Sequence, residues 1–207
     1  MKFDIISFDL QGTLSDSAFS DEFWLEILPK LYSKSKGIRL DEAKGELKER
    51  FKTYEKYDYR YYSFNYWMNE LRLGLSFDEA LSMISHKPHF FDDIRRLLEE
   101  IKGKARLIII SSTTKEFIEA ELYGNRIYFD AVYSSIDDFG IAGKPKELYE
   151  EISKIYGVSP SRILHIGDCK EMDVKNAKMA GLEAFYLDKK LPRKEVIEKL
   201  REVIFKE

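Results

Sequence analysis

Hydrophobic positions along the chain follow two rhythms. Near the start, and again beyond Pro88, short apolar runs stand alone: Phe3–Phe8, Arg106–Ile110, Phe129–Tyr133, Ile163–Ile166 and Ala184–Leu187. Runs of this length predict buried strands. Between them the apolar residues recur at helical spacing. Ile94, Leu97, Leu98 and Ile101 form one such face, with Asp92 as the expected cap. Further helices are predicted from about Lys115 to Tyr123, over Lys146–Tyr156 with Gly157 as a stop, near Asp173–Ala180 with Gly181 as a stop, and near Arg193–Phe205. Strands alternating with helices predict a parallel sheet covered on both faces.

The stretch after the first run reads differently. Phe23, Trp24, Ile27, Leu28, Leu31 and Tyr32 repeat at helical spacing, and Pro29 is expected to kink or split that helix. Asp41 opens a second helix, with Ala43, Leu47, Phe51 and Tyr54 on one face. Tyr57–Tyr62 reads as a tyrosine-rich linker carrying Arg60. Phe64, Trp67, Met68 and Leu71 form a third helical face. Ser76-Phe77-Asp78-Glu79 reads as a capping box opening a fourth helix. The expected organisation is a doubly wound α/β core from residues 1–15 and 87–207, with an all-helical lid or cap from residues 16–86.

Composition narrows the class. A chain of 207 residues with 44% hydrophobic content is globular and long enough for one good core plus a small extra domain. A net charge of −3 gives no basis for a nucleic-acid or membrane surface. The single cysteine, Cys169, excludes an internal disulfide framework and fits a reducing compartment. No apolar run reaches a membrane-spanning length, and Met1-Lys2 leads directly into a strand. These features lead us to expect a soluble, cytoplasmic protein.

The candidate chemistry lies at the ends of the strand-like runs. The first run ends on Asp9, at the strand end where open α/β sheets place their ligands. Gly12 lets the backbone turn beside a ligand, and Thr13 offers a hydroxyl behind that turn. The second run ends in Ser111-Ser112-Thr113-Thr114. Gly143-Lys144-Pro145 sits in a loop before a helix. Another run ends in Gly167-Asp168-Cys169-Lys170-Glu171-Met172-Asp173. A carboxylate such as Asp9 can attack a phosphorus or carbon centre and form an ester. A lysine serves as a point charge. Asp173 reads equally well as a helix N-cap.

Acid, hydroxyl, lysine and acid pair, in this order, resemble the four-motif signature of the haloacid dehalogenase-like (HAD) hydrolase superfamily. Thr13-Leu14-Ser15-Asp16-Ser17 and Gly140-Ile141-Ala142-Gly143-Lys144-Pro145 are also similar to that family's phrasing. The resemblance covers the chain outside the insertion from Asp16 to about Pro88. It implies a Rossmann-like core with a helical cap, and Asp9 as nucleophile. Ser111 would donate to a phosphoryl oxygen, a role open to Ser112 or Thr113, and Lys144 would neutralise charge. Mg²⁺ would be held by Asp9, Asp168 and the backbone carbonyl of Gln11. Asp173 would join this acidic set or orient Asp168 or Lys144. Gly12, Thr13, Ser112, Thr113 and Arg60 are the expected substrate contacts, Arg60 by a bidentate grip unless it is simply solvent-exposed.

One position departs from the pattern. The family's first motif is usually Asp-x-Asp-x-Thr, and here Gln11 replaces the second acid. Glutamine has no proton to give or take near neutral pH, so it cannot do general acid–base work. The expected function is therefore Mg²⁺-dependent hydrolysis of a small phosphate ester, slowed at the step the missing acid would serve. The alternatives are a 2-haloacid dehalogenase, which needs no metal, and a non-catalytic relative that binds phosphate or metal. His86 and His89, at the return from cap to core, are candidates to lend a proton. Tyr54, Tyr57, Tyr59, Tyr61, Tyr62 and Tyr66, with Trp67, would line a pocket or fill the cap's core.

Overall fold

In the computed structural model, which describes residues 2–54 and 57–205, the first apolar run forms strand β1 (Ile5–Phe8), buried at every position. Met1, Lys206 and Glu207, at the ends of the expected core segments, and Glu55 and Lys56 within the expected cap, lie outside the described residues. Strand β1 is the centre of a five-stranded, all-parallel sheet of order β3-β2-β1-β4-β5. Its other strands are β2 (Arg106–Ser111), β3 (Ala131–Ser134), β4 (Ile163–Gly167) and β5 (Glu183–Tyr186). Phe8 pairs with Ile109 on one side and Ile166 on the other. The chain order runs outward from β1 in both directions. Asp9 therefore leaves the sheet at the topological switch point, where ligands bind in open sheets.

Alternation along the strands sorts the core into two layers. Ile6, Phe8, Leu107 and Ile109 face the helices Asp92–Ile101 and Arg193–Phe205. Ile5, Ile108 and Ile110 face the helix Lys146–Tyr156, where they meet Leu148, Tyr149 and Ile152. Every strand departs from its apolar run by one or two residues at one end or both, and two of these shifts matter for the site and the core. Strand β2 continues to Ser111, which pairs with Ser134. Strand β3 starts later than the apolar run, because Phe129 closes a 3₁₀ turn and plugs the core instead. The expected cap at Asp92 is corrected: Phe91 holds the N-cap position and Asp92 is the first helical residue, where its charge complements the helix dipole. The expected helix near Asp173–Ala180 is a π turn, Lys170–Lys175, followed by a single α turn, Asn176–Met179. A short helix, Ser135–Phe139, was not foreseen. Ser134 caps it, its Oγ accepting from Asp137 N at 3.1 Å.

The insertion between β1 and β2 is helical: Ala18–Asp21, Glu22–Ile27, Leu28–Lys36, Leu40–Thr53, Tyr59–Tyr62, Phe64–Glu70 and Phe77–Met83. Pro29 does not split its helix. Glu22–Ile27 widens into a π turn just before it, and this takes up the missing N–H and the ring. The expected tyrosine-rich linker contains one helical turn, capped by Asp58. The capping box forms: Ser76 Oγ accepts from Glu79 N at 3.3 Å, and Glu79 Oε2 accepts from Ser76 N at 2.8 Å. Phe23, Leu28, Tyr32, Leu47, Phe64 and Trp67 form the insertion's own apolar cluster. Phe117, on the helix Lys115–Leu122 that follows β2, enters this cluster against Phe77 and Trp24. The two crossings between insertion and sheet run side by side: Phe91 N donates to Leu14 O at 3.0 Å, and Asp16 N to His89 O at 3.3 Å.

Phe117 is thus the large side chain by which the sheet layer grips the insertion. Phe117→Ala is expected to cost about 3–5 kcal/mol, read as a lower denaturant midpoint. An exposed control such as Tyr123→Ala on the same helix segment should leave the midpoint nearly unchanged.

Candidate active site

Four chain segments meet at the C-terminal edge of the sheet and line a cavity of about 360 Å³. Asp9 and Gln11 come from the loop after β1, Ser111, Ser112 and Thr113 from the end of β2, Lys144 from its loop, and Asp168 and Asp173 from the loop after β4. Trp24, Phe51, Tyr61 and Tyr62 reach in from the helical insertion. The turn after Asp9 depends on Gly12, whose φ of 79° suits glycine alone. A Cβ there would also run into Asp168 and Lys189. Gly167 plays a similar part at the end of β4, since a Cβ would enter the Asp173 carboxylate.

The electrostatic centre is Lys144. Its side chain is 2% exposed, and its ammonium lies 2.6 Å from Asp9 Oδ1 and 2.5 Å from Asp173 Oδ1. Burial opposes its charge, but Asp173 and Asp9 hold it well above the usual lysine range. Asp173 is fully buried. Burial works against its carboxylate too, yet Lys144 and His165 hold it well below the usual range. Its Oδ2 also accepts from Cys169 N at 2.8 Å. Burial pushes Asp9 up to about 7 against the pull of Lys144, with Asp173 adding to the rise.

His165 supports this pair from below. It is fully buried in β4, with Nε2 3.3 Å from Asp173 Oδ1 and Nδ1 2.7 Å from Ser7 Oγ. Burial lowers its pKa and favours the neutral ring. A carboxylate only accepts, so the ring proton belongs on Nε2, and Nδ1 accepts from the Ser7 hydroxyl. The sequence pattern absorbed this histidine into an apolar strand run.

Not every expected residue reaches the cavity. Thr13 is fully buried beneath the turn, and Gly12 lies against Asp168 and Lys189; neither borders the cavity. Arg60 is held away because Asp58, two residues before it, already takes its fork: Nη2 donates to Asp58 Oδ2 at 2.5 Å and Nε to Oδ1 at 2.9 Å. Arg60 lines a separate cavity with Gly140 and Ala142. His86 pairs with Glu22 at the surface and His89 is exposed; neither borders the cavity. The tyrosines divide. Tyr61 and Tyr62 line the cavity, Tyr54 and Tyr66 bond each other, and Tyr57 accepts from Asn176 Nδ2 at 3.1 Å.

Two partners were missed from the sequence. Lys189 pairs with Asp168 from the loop after β5. Glu121, only 1% exposed, accepts from Gln11 Nε2. Burial pushes Glu121 up to about 8, although Gln11 and Ser15 both donate to it. A buried acid on a helix that also carries Glu116 and Glu119 gives no sequence signal of its own.

Carboxylate oxygens of Asp9, Asp168 and Asp173 lie within 4.8 Å of one another. Hard oxygen donors of this kind suit Mg²⁺. Asp173 has both oxygens engaged by Lys144, His165 and Cys169 N, whereas among the described residues Asp168 pairs with the exposed head of Lys189. The donor set therefore fits a divalent cation held through Asp9 and Asp168.

Several known proteins are similar to this chain. The GMP/IMP nucleotidase YrfG of Escherichia coli is 23% identical over 168 residues, 80% of this chain and 74% of that protein. The structure of a HAD phosphatase from Thermococcus onnurineus superposes with a TM-score of 0.81 at 24% identity, covering 99% of both chains. The magnesium-bound HAD-hydrolase YfnB of Bacillus subtilis gives a TM-score of 0.67 at 18% identity, over 97% of this chain and 100% of that one. Because the family model for haloacid dehalogenase-like hydrolases matches residues 3–181, a span that takes in every loop meeting at the cavity, the chain belongs to that family of hydrolases.

Proposed function

We propose that the protein is a Mg²⁺-dependent phosphatase that cleaves a small phosphate monoester through an aspartyl intermediate on Asp9. The observation that carries this reading is the Lys144 bridge. One buried ammonium holds Asp9 Oδ1, so Oδ2 is left as the attacking oxygen, in a cavity bordered by Ser111, Ser112 and Thr113. In the first step Oδ2 bonds to phosphorus while the bond from phosphorus to the leaving oxygen breaks, and that oxygen takes a proton from solvent water because Gln11 has none to give. In the second, water attacks the same phosphorus, the bond from phosphorus to Oδ2 breaks, and the water's proton leaves with the inorganic phosphate or to solvent, which returns the Asp9 carboxylate. Lys144 stays protonated throughout and balances charge on the phosphoryl oxygens, and the hydroxyls at the end of β2 donate to them. Mg²⁺, held by Asp9, Asp168 and the Gln11 carbonyl, would supply further positive charge to those oxygens.

Asp173 fixes Lys144 rather than touching the substrate. The insertion supplies the far wall. Trp24, Phe51, Tyr61 and Tyr62 offer ring faces to a flat leaving group. This wall, together with the relative named as a nucleotidase, supports a nucleoside monophosphate as the substrate class. We take residues 16–86 as a cap that closes over the site. Gln11 gives the dehalogenase reading its one argument, because a halide leaves without an acid. Halide release from a 2-haloacid without metal, and no phosphate release from a panel including GMP and IMP, would overturn the phosphatase assignment.

Three outcomes are expected. Saturating Mg²⁺ should stabilise the protein, by about 2.7 kcal/mol at one hundred times its Kd; thermal melts of Asp168→Asn should show no such shift. With an activated aryl phosphate the wild type should give a burst of leaving group and then slow turnover, since Gln11 cannot deprotonate the second-step water. Gln11→Asp should speed the slow phase by up to about 10²–10⁴-fold. Third, Asp173→Asn should cost about 3 kcal/mol near neutral pH, by leaving Lys144 underpaired. A depressed carboxylate stabilises above its unfolded pKa of about 3.9, and the gain is lost on acidification towards the folded value. The gap between wild type and variant in urea melts should therefore narrow below about pH 4.

A further inference from the structure

Among the described residues Glu121 is a buried acid that the steps above leave unused. It sits one turn after Phe117 on the same face of the helix Lys115–Leu122; Phe117 packs into the insertion's cluster and Glu121 meets the loop after β1. Its two oxygens each meet that loop. Oε1 accepts from Gln11 Nε2, and Oε2 accepts from Ser15 Oγ at 3.4 Å. Glu121 does not border the cavity, and Gln11 does. A leucine would fill this site without the desolvation that a carboxyl group incurs.

We infer that Glu121 is a positioning residue: it anchors the –NH₂ of Gln11, so that the Gln11 carbonyl oxygen is the atom offered to the cavity beside Asp9. The two ends of a glutamine amide have nearly the same shape, and only their partners set which way round it sits. Oε1 of Glu121 accepts both when the carboxyl is ionised and when its proton sits on Oε2 beside Ser15, so it selects the –NH₂ end and repels the oxygen. The Gln11 oxygen then accepts one hydrogen of a water and turns that water's lone pair towards the phosphorus on Asp9. It orients the water without taking its proton. Glu121 acts only through Gln11, and the carboxyl itself exchanges no proton with the substrate. The inference rests on the phosphatase reading for its kinetic consequence, but not for the anchoring itself.

The test uses the full chain with Mg²⁺ and p-nitrophenyl phosphate, comparing Glu121→Gln, Gln11→Glu and the double exchange. An amide at position 121 both donates and accepts, so Gln11 loses its fixed orientation. Glu121→Gln should lower the slow-phase kcat by about 10–100-fold, the usual scale for removing such a supporting partner, with KM little changed. Gln11→Glu keeps the length that reaches Glu121, so it sets two buried acids against each other and should also lose activity, whereas the side chain in Gln11→Asp ends one methylene short of that contact. Exchanging both restores one donor and one acceptor, and should recover at least the wild-type rate, a non-additive result expected only of a contacting pair. An unaffected kcat in Glu121→Gln, or a double exchange no better than the poorer single, would overturn the inference. A second readout is independent of turnover. In ¹⁵N-labelled protein the Gln11 side-chain amide, assigned by its loss in Gln11→Asp, should exchange slowly with solvent in the wild type and fast in Glu121→Gln. Fast exchange in the wild type overturns the anchoring. A wild type that releases no phosphate but keeps slow amide exchange sinks the phosphatase reading and leaves the anchoring standing.

Discussion

The structure depends on an ammonium group held out of water between two carboxylates. Lys144 lies on a loop, yet it is as buried as a core leucine, because Asp9 and Asp173 replace its hydration. A buried charge is tolerated only where its partners are fixed. The neighbourhood supplies that fixity: His165 and the Cys169 N–H hold Asp173, Ser7 holds His165, and the register of β1 against β4 places all of these on one face of the sheet. Removing Asp9 or Asp173 leaves the Lys144 charge without one of its counterparts in a dry place.

This arrangement also explains why the backbone around the site is unusual. Gly12 and Gly167 occupy positions where a methyl group would strike Asp168 or Asp173. The π turn Lys170–Lys175 widens the chain so that Asp173 can reach back to β4, where a regular helical turn would aim it elsewhere. The second π turn, before Pro29, answers a different problem: it lets one long helix carry Trp24 to the cavity and still continue through a proline.

The insertion is bound to the sheet layer through rings rather than charges. Phe117 sits among Phe23, Trp24, Phe64 and Phe77. One turn later on the same helix, Glu121 holds the loop that carries Gln11. A single short helix therefore touches both the aromatic wall over the cavity and the loop beside Asp9.

The sequence by itself determined the alternating core and the helical insertion. Apolar period and turn residues are local signals, and they place Asp9, Ser111 and Asp168 at chain positions where parallel strands end, and Lys144 in a loop that opens a helix. The order of those residues also carried the family. What the sequence could not determine was which polar groups would face each other across the sheet. Asp173 serves equally as a cap or as the partner of a lysine 29 positions away, and only the β4 loop's path decides between them. Arg60 pairs with its near neighbour Asp58, which turns it from the cavity. His165 was hidden in an apolar run, and Glu121 among other helical acids, because burial of a polar residue is decided by what packs on it from distant parts of the chain. Local propensity sets the elements, while partners for buried charge exist only once the chain has folded.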